Sequence, residues 1–552
     1  MNCPSRVEAL PPDHHNQNPN ALSADLTTRS DLGSIANARR RNDHRIDSDE
    51  SPIELIAARP TQDVDKQQVM EEIRSVPSHE MGPGSFVRKT GHVLKKYVRF
   101  IGPGFLVSVA YIDPGNYATD VAAGASYRFQ LLFVVLISNL FAILLQSLCI
   151  KLGSITGMNL AEMIKAHCPR WLNYIMYFLA ECAIIATDIA EVIGTAIALN
   201  LLLKIPLVAG VALSIVDVLV ILLFYSPNGT MRGLRAFECF VIVLVLGVVI
   251  CFCYQLSFLR GISAGDVFRG YLPSAAVVQG TGLYQSCGIL GATVMPHSLF
   301  LGSGLIQARL KEFDTSNKTV SSEEKYRPSI FAIRSCMSYS IAELVISLFT
   351  FALFVNSAIL IVAGGSLYEN ADAGDADLFG IYDLLAQTLA PIAGTVFALA
   401  LLFSGTSAGI VCTIAGQMVS EGHLNWTVRP WIRRLITRSI SITPSIIVAG
   451  ALGAEGISAA LTGSQVALSV LLPFLSAPVI YFTCRNKFMT VHAPSTVVLH
   501  EGLDAEAAPP VAAYEAIKMR NHWITAGFAI AIWLCIVVMN VALIVLVAMG
   551  LD

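Results

Sequence analysis

The chain is poor in charge. Only 14% of its 552 residues are Asp, Glu, Lys or Arg, whereas soluble domains carry about 25%. This composition excludes an ordinary soluble domain. The formal net charge is −3, which excludes a strongly basic nucleic-acid-binding protein.

Several chemical motifs are also missing. The 12 cysteines form no CxxC pair, and most lie in apolar runs, where a free cysteine is a small buried residue. There is no HExxH zinc motif and no GxGD aspartate motif, so an intramembrane protease has no sequence support. No apolar run follows Met1, so we expect no secretory signal peptide here. We therefore predict that the chain is not an enzyme and has no cofactor.

The charges that are present gather at the N-terminus. Residues 1–92 hold 11 basic and 14 acidic residues, with few aromatic residues, and are predicted to form a disordered cytoplasmic tail. Residues 93–552 are far more apolar and are predicted to form a transmembrane domain.

A helix needs roughly 20 mostly apolar residues to cross a bilayer, and the chain contains eleven such runs. We number them spans 1 to 11: 98–124, 129–150, 172–200, 207–225, 235–259, 277–308, 335–363, 382–420, 432–452, 460–483 and 523–550. One set of alternate connections, with the N-terminal flank, carries 24 Lys or Arg residues, and the other set carries 4. Positive residues favour the cytoplasmic side. This predicts an all-α polytopic protein with its N-terminus inside and its C-terminus outside.

Spans 1 and 6 are each interrupted at mid-membrane. Span 1 contains Asp113-Pro114-Gly115-Asn116, and span 6 contains Met295-Pro296-His297. Proline removes a backbone donor and frees carbonyls in the preceding turn, here those of Ala110 and Ala292. Irregular backbone in a membrane must line a cavity or be buried in protein. Paired interruptions in two five-span halves favour an inverted-repeat transporter with a midplane site, although two simple proline kinks are the alternative.

The groups at these breaks are potential metal ligands. The Asp113 carboxylate, the Asn116 amide and the freed carbonyls would suit a hard cation. The Met295 thioether adds a soft ligand that favours a transition metal, unless Met295 only fills the core. The set predicts Mn²⁺ or Fe²⁺ as the transported ion, with Cd²⁺ as a mimic.

Span 3 carries three carboxylates, Glu181, Asp188 and Glu191, at helical spacing. Carboxylates inside membranes are expensive and commonly carry protons, but a structural pairing with basic residues is the alternative. Candidate counter-charges at the start of span 9 are Arg433, Arg434 and Arg438. His297 beside the second break is a further candidate proton carrier or a hydrogen-bonded structural residue.

These residues together resemble a known family. DPGN in span 1 and MPH in span 6, with TDIAEVIGTAIAL, VNSAILIVAG, SAGIVCTIAGQMVSEG and GSQVALSVLLPF, resemble the Nramp divalent-metal transporters, especially the fungal manganese and iron members. The resemblance runs from about Arg99 to Gly550.

The resemblance implies a LeuT-like fold of five plus five inverted-repeat helices, with discontinuous helices 1 and 6 and an added eleventh helix. It implies cotransport of divalent metal and protons across the lipid bilayer. The implied metal ligands are Asp113, Asn116 and Met295, the carbonyls of Ala110 and Ala292, and Gln465 in span 10. The implied proton-exit residues are Asp188, Glu191, Arg433 and Arg434. Gly302 and Gly405-Thr406-Ser407 depart from the family pattern of a second histidine and of Gly-Gln-Ser.

Other functions stay open at this point. A sodium-coupled amino-acid transporter of the same architecture and a non-transporting metal sensor are alternatives, although the soft Met295 and the acidic span 3 argue against the first. Either the plasma membrane or an endosomal or vacuolar membrane fits the sequence.

Overall fold

The structure is a computed structural model that describes residues 103–214, 231–316, 326–368, 378–425, 430–451, 453–494 and 514–549. The predicted tail, 1–92, lies outside these residues, as does most of the predicted fourth span. Their predicted organisation therefore stays a prediction.

The described part of the chain is dominated by long apolar helices, as predicted. Eight of them are long and apolar enough to cross a membrane: Leu132–Thr156, Arg170–Leu203, Arg235–Phe258, Gly280–Ser316, Ile330–Ser366, Pro391–Leu424, Ala459–Thr483 and Trp523–Met549. They coincide with spans 2, 3, 5, 6, 7, 8, 10 and 11. On the last helix, Phe528, Val538 and Val541 are exposed apolar side chains of the kind that faces lipid. The chain is an integral membrane protein.

The remaining described elements are shorter or less apolar. Span 9 is the helix Pro430–Ala451, and span 10 is part of the helix Gly453–Thr483. Helices in the connections are Leu160–His167, Ala264–Gly270, the 3-10 turn Ala275–Val278, and Leu378–Thr388. Span 7 contains a π-helical turn, Leu348–Ala352.

Both predicted helix breaks are present. Span 1 consists of half-helix 1a, Pro103–Val109, and half-helix 1b, Pro114–Tyr127. Span 6 consists of half-helix 6a, Gly280–Thr293, and half-helix 6b, Pro296–Ser316. In each case the second half begins at a proline, which needs no helical partner for its nitrogen at the first position.

Two features differ from the sequence prediction. The eighth span was expected over 382–420, but a short helix ends at Thr388 and the span itself is Pro391–Leu424. Pro391 starts this helix, because proline favours the first helical position and disfavours helix in the residue before it. The all-α prediction also missed an antiparallel pair of strands, Thr490–Pro494 and Tyr514–Lys518. The pair lies between spans 10 and 11, outside the apolar runs.

Glycines allow the spans around the breaks to approach closely. A Cβ at Gly153 in span 2 would lie 2.1 Å from the carbonyl oxygen of Ser303 in half-helix 6b. A Cβ at Gly124 in half-helix 1b would lie 2.6 Å from the carbonyl oxygen of Leu360 in span 7. Small residues at such contacts are typical of membrane helix packing. They hold both broken helices against continuous neighbours.

A buried ion pair joins span 5 to half-helix 6b. Arg309 Nη2 lies 3.0 Å from Glu238 Oε2, and the two side chains are 3% and 4% exposed. Glu312 lies 3.5 Å from Arg309 and 2.9 Å from Arg235. The four side chains form a chain of alternating charge between the two helices.

We expect Arg309→Met to destabilise the protein by roughly 3–5 kcal/mol, because it leaves the buried Glu238 carboxylate without its main counter-charge. Thermal unfolding of the purified protein in detergent measures the loss. The double variant Arg309→Met/Glu238→Gln should recover most of it, because no buried charge is then unpaired. Equal losses in the single and double variants would show that the ion pair itself is unimportant.

Candidate functional site

The break in span 1 is organised by Asp113. This residue has an extended backbone and caps half-helix 1b, where its Oδ1 accepts a hydrogen bond of 3.0 Å from the backbone N–H of Asn116. Pro114 has no N–H, so the carbonyl of Ala110, four residues earlier, loses the donor that a continuous helix would supply. Ala110 and Asp113 are both buried. The sequence thus places a buried carboxylate at the break and removes the helical donor from a carbonyl one turn earlier.

The break in span 6 repeats this arrangement. Half-helix 6a ends at Thr293, and Pro296 begins half-helix 6b without a donor for the carbonyl of Ala292. That carbonyl instead accepts a hydrogen bond of 3.4 Å from the side-chain amide of Asn116. The two broken helices therefore meet at Asn116.

The Asn116 amide lies at a point where three oxygens converge. Its Nδ2 donates to Asp113 Oδ1 at 2.8 Å, to the Tyr111 carbonyl at 3.1 Å and to the Ala292 carbonyl at 3.4 Å. One of these oxygens carries a carboxylate charge, and two come from the broken segments. A cluster of oxygens with this electrostatic character favours a positive group at its centre.

Three further oxygens of the cluster have no hydrogen-bond partner among the described residues. They are Asp113 Oδ2, Asn116 Oδ1 and Gln465 Oε1, all in fully buried side chains. Leaving a buried acceptor unpaired costs about 1–3 kcal/mol each. Such atoms need a reason to be there, and coordination of a cation supplies one for the Asp113 and Gln465 oxygens.

Gln465, predicted only from the family resemblance, lies between the two breaks. A Cβ added to Gly115 would lie 2.3 Å from the carboxamide carbon of Gln465. A Cβ added to Gly291 in half-helix 6a would lie 2.0 Å from the backbone oxygen of Gln465. Span 10 therefore approaches both broken helices at glycines.

Met295 lies in the second break, between half-helices 6a and 6b, and is 1% exposed. Its carbonyl is occupied, because Ser298 donates to it from the backbone N–H at 3.2 Å and from Oγ at 2.7 Å. What Met295 can add to a metal site is therefore its thioether.

Two polar residues at this site were not predicted. Asn356 in span 7 donates from Nδ2 to the Tyr111 carbonyl at 3.1 Å, and its Oδ1 is buried without a partner in the described chain. Ser404 in span 8 donates to the Ile112 carbonyl at 2.9 Å. Both satisfy carbonyls of the broken segment of span 1. In the sequence, each of the two is marked only as a polar residue within an apolar run.

One of the predicted proton residues, His297, lies next to the second break and contacts span 3. This histidine is 1% exposed, and its Nδ1 lies 3.2 Å from Thr187 Oγ1 in span 3. Thr187 directly precedes Asp188. The ligand atoms of Asp188, Glu191 and Cys412 of span 8 all lie within 4.8 Å of one another. Cys412 was predicted only as a buried cysteine.

The other members of the predicted proton pathway are less well placed. Glu181 is only partly buried and is not a member of the Asp188–Glu191–Cys412 cluster. The side chains of Arg433 and Arg434 lie outside the described part of the chain. The predicted contact between these arginines and span 3 therefore stays a prediction.

Gly302, where the family pattern has a second histidine, packs directly against the Gln146 side chain. A Cβ there would lie 2.1 Å from Gln146 Oε1. Gln146 Nε2 donates to the Tyr111 hydroxyl at 2.9 Å and to Ser298 Oγ at 2.7 Å. Gln146 thus links span 1 to half-helix 6b.

Known proteins resemble this chain over most of its length. Residues 104–500 match the family Nramp, described as natural resistance-associated macrophage protein-like. The manganese transporter SMF1 of Saccharomyces cerevisiae is 50% identical over 499 residues, which cover 83% of this chain and 87% of the relative. The iron transporter SMF3 of the same yeast is 53% identical over 414 residues, which cover 75% of this chain and 87% of the relative.

A solved structure agrees with the fold. The manganese transporter of Eremococcus coleocola, in complex with an aromatic bis-isothiourea substituted compound, is 29% identical and superimposes with a TM-score of 0.66. The match covers 86% of this chain and 90% of that one. From the broken helices, the oxygen cluster and these relatives, we conclude that this chain belongs to the Nramp family.

Proposed function

We propose that the chain transports Mn²⁺ and Fe²⁺, and also Cd²⁺, into the cytosol by alternating access, with protons as the coupled ion. The single observation that carries this proposal is the convergence of the Asp113 carboxylate and the Tyr111 and Ala292 carbonyls on one amide. The names of the 50–53% identical relatives, manganese and iron transporters, support the same cargo.

The ligand set explains the choice of ion. Carboxylate, amide and carbonyl oxygens bind hard cations, and a thioether prefers softer transition metals. With one carboxylate and no thiolate, binding is moderate, which a carrier needs in order to release its cargo. For the Asn116 oxygen to face the ion, its amide must turn, because Nδ2 now occupies the centre of the cluster. The proposed ligands are Asp113, Asn116, Met295, Gln465 and the carbonyls of Ala110 and Ala292.

The broken helices give the site its mechanism. We propose that spans 1–5 and 6–10 form two inverted repeats that rock against each other around the breaks. A cavity of about 1060 Å³ lies beside half-helix 6b at Gly304 and Leu305, and beside Met418 of span 8. Its lining includes basic connections predicted to face the cytosol. We propose that the cargo leaves the breaks on this side, toward the cytosol. The proposed topology has the N-terminus inside and the C-terminus outside.

The proposed proton pathway begins at His297, next to the proposed metal site. His297 follows the second break directly and contacts Thr187, the neighbour of Asp188. From there the Asp188–Glu191 cluster continues along span 3. Carboxylate and histidine chains inside membranes are the usual proton carriers. Glu181, Arg433 and Arg434 complete the proposed pathway.

We expect Met295→Ala to lower discrimination against Ca²⁺ by roughly tenfold, equivalent to about 1.4 kcal/mol. The remaining oxygens suit hard ions as well as soft ones, so Mn²⁺ flux should fall much less. Competition of Ca²⁺ and Cd²⁺ against radioactive Mn²⁺ uptake measures both. The matched variant Met418→Ala, at the cavity, should leave selectivity unchanged. Equal losses for hard and soft ions would argue against a ligand role for the thioether.

We expect Glu191→Gln to weaken proton coupling while leaving metal binding largely intact, because the amide keeps the shape of the side chain but cannot carry a proton. Acidification that accompanies Mn²⁺ entry, recorded with a pH dye inside liposomes, should fall relative to Mn²⁺ flux. An unchanged ratio of protons to metal removes Glu191 from the pathway.

The proposed function is tested by uptake into proteoliposomes that contain the purified protein. An inward proton gradient should drive Mn²⁺, Fe²⁺ and Cd²⁺ uptake but not Ca²⁺ uptake. Sodium-driven uptake of amino acids without metal uptake would support the transporter alternative. Metal binding without any uptake would support the sensor alternative.

A further inference from the structure

The cavity of about 1060 Å³ is lined by four cationic side chains from separate parts of the chain. Lys165 lies in the short helix after span 2 and Lys311 in half-helix 6b. Arg327 follows half-helix 6b, and Lys487 follows span 10. None of these four forms an ion pair with another residue in the described ranges. The positive-inside rule explains the side on which they lie, but not why they converge on one cavity.

The two carboxylates in the lining do not neutralise these cations. Glu162 accepts a hydrogen bond of 2.7 Å at Oε2 from the backbone N–H of Asn159 in a helix cap. Glu238 is paired with Arg309 at 3.0 Å. Both acids thus have partners within the protein, and among the described lining residues the four cations outnumber them.

At one wall of the cavity, a lysine and a histidine both lie close to the Phe488 ring. The Lys487 ammonium lies 5.4 Å from the centre of the Phe488 ring, and the His167 ring lies 4.8 Å from the same ring. Burial, and secondly the Lys487 charge, lower the pKa of His167 from its usual value. Lys487 and His167 therefore both lie close to Phe488 at the cavity wall.

We propose that this cavity binds a soluble polyanion with two or more phosphate groups, such as a polyphosphate. A cation path gains no affinity for its cargo from a cationic lining, whereas phosphate groups pair well with lysine charges and with an arginine fork. The volume is of the size that small-molecule sites have. The cavity lies on the proposed cytosolic side of the cargo's route, but its lining contains none of the proposed metal ligands, so a failure of polyphosphate binding and a failure of Mn²⁺ transport can be told apart.

Tripolyphosphate binding to the full-length protein, reconstituted in nanodiscs of neutral lipid, tests this. Calorimetry should detect one site whose affinity falls as salt rises. The double variant Lys311→Gln/Lys487→Gln should bind at least about tenfold more weakly, because charge-assisted contacts are lost. The control Lys518→Gln removes an exposed lysine that is outside the cavity lining and should bind like the wild type.

Thermal unfolding and Mn²⁺ binding of each variant establish that it is folded. Absence of tripolyphosphate binding, or equal binding by the double variant and the wild type, overturns the proposal. Chemical acylation of the cavity lysines gives a second test. If a phosphoinositide placed in the nanodisc protects these lysines and tripolyphosphate does not, the proposal is also overturned, because the ligand would then be a lipid headgroup.

Discussion

Replacing Asp113 with asparagine is expected to abolish Mn²⁺ uptake in a protein that still folds. Asparagine caps a helix about as well as aspartate, so half-helix 1b should keep its start. The carboxylate charge, however, is lost from the oxygen cluster around Asn116. We expect uptake to fall at least about 100-fold, since even outer-shell partners of metal ligands are worth about 10–100-fold in affinity. Initial rates of radioactive Mn²⁺ uptake in proteoliposomes measure this.

The control for this change is Asp266→Asn. Asp266 is exposed in the short helix Ala264–Gly270, between spans 5 and 6, and its replacement should leave uptake unchanged. If Asp113→Asn transports Mn²⁺ as the wild type does, the carboxylate has no part in the metal site.

Gly291→Ala is expected to disrupt the site without changing any proposed ligand. The new methyl group would lie 2.0 Å from the backbone oxygen of Gln465 and 2.7 Å from the backbone nitrogen of Ser469. Backbone atoms cannot turn away as a flexible side chain can, so half-helix 6a and span 10 must separate. Overpacking of this kind costs about 1–3 kcal/mol, and we expect Mn²⁺ affinity to fall roughly tenfold, by the equivalence of about 1.4 kcal/mol per decade.

Gly463→Ala is the matched control, because Gly463 lies on the same helix as Gln465 and a Cβ there meets nothing within 4 Å. Alanine is the better helix former by about 0.8–1.0 kcal/mol, so this variant should be as stable as the wild type or more so. Calorimetric Mn²⁺ titration and thermal unfolding compare the two. Equal behaviour of both variants would show that the close approach at Gly291 is not needed.

The broken helices could be predicted because the residues that mark them are unfavourable within a continuous membrane helix. A carboxylate such as Asp113 is expensive in an apolar span, and a proline such as Pro296 interrupts the hydrogen bonds of its helix. The residues around them, Asn116 and Ala292, follow from proline chemistry and sequence proximity. The approach of Gln465 needed the family resemblance, because nothing local links span 10 to the breaks.

The supporting residues could not be predicted, for a physical reason. Asn356 and Ser404 are single polar residues in apolar helices, and such residues commonly bond to their own helix instead. Only the three-dimensional arrangement shows that they satisfy carbonyls of the span 1 break. Cys412 is a similar case, since a buried cysteine in an apolar run carries no mark of the Asp188–Glu191 cluster beside it.

The most direct measurement is the position of the ion itself. Crystals of the full-length protein grown with Mn²⁺, measured near the manganese absorption edge, should give one anomalous peak between half-helices 1b and 6a. The peak should lie within roughly 2.0–2.6 Å of oxygens of Asp113 and Asn116, the range of oxygen-ligated divalent cations. A single strong peak at Asp188, Glu191 and Cys412, with none at the breaks, would contradict the proposed site.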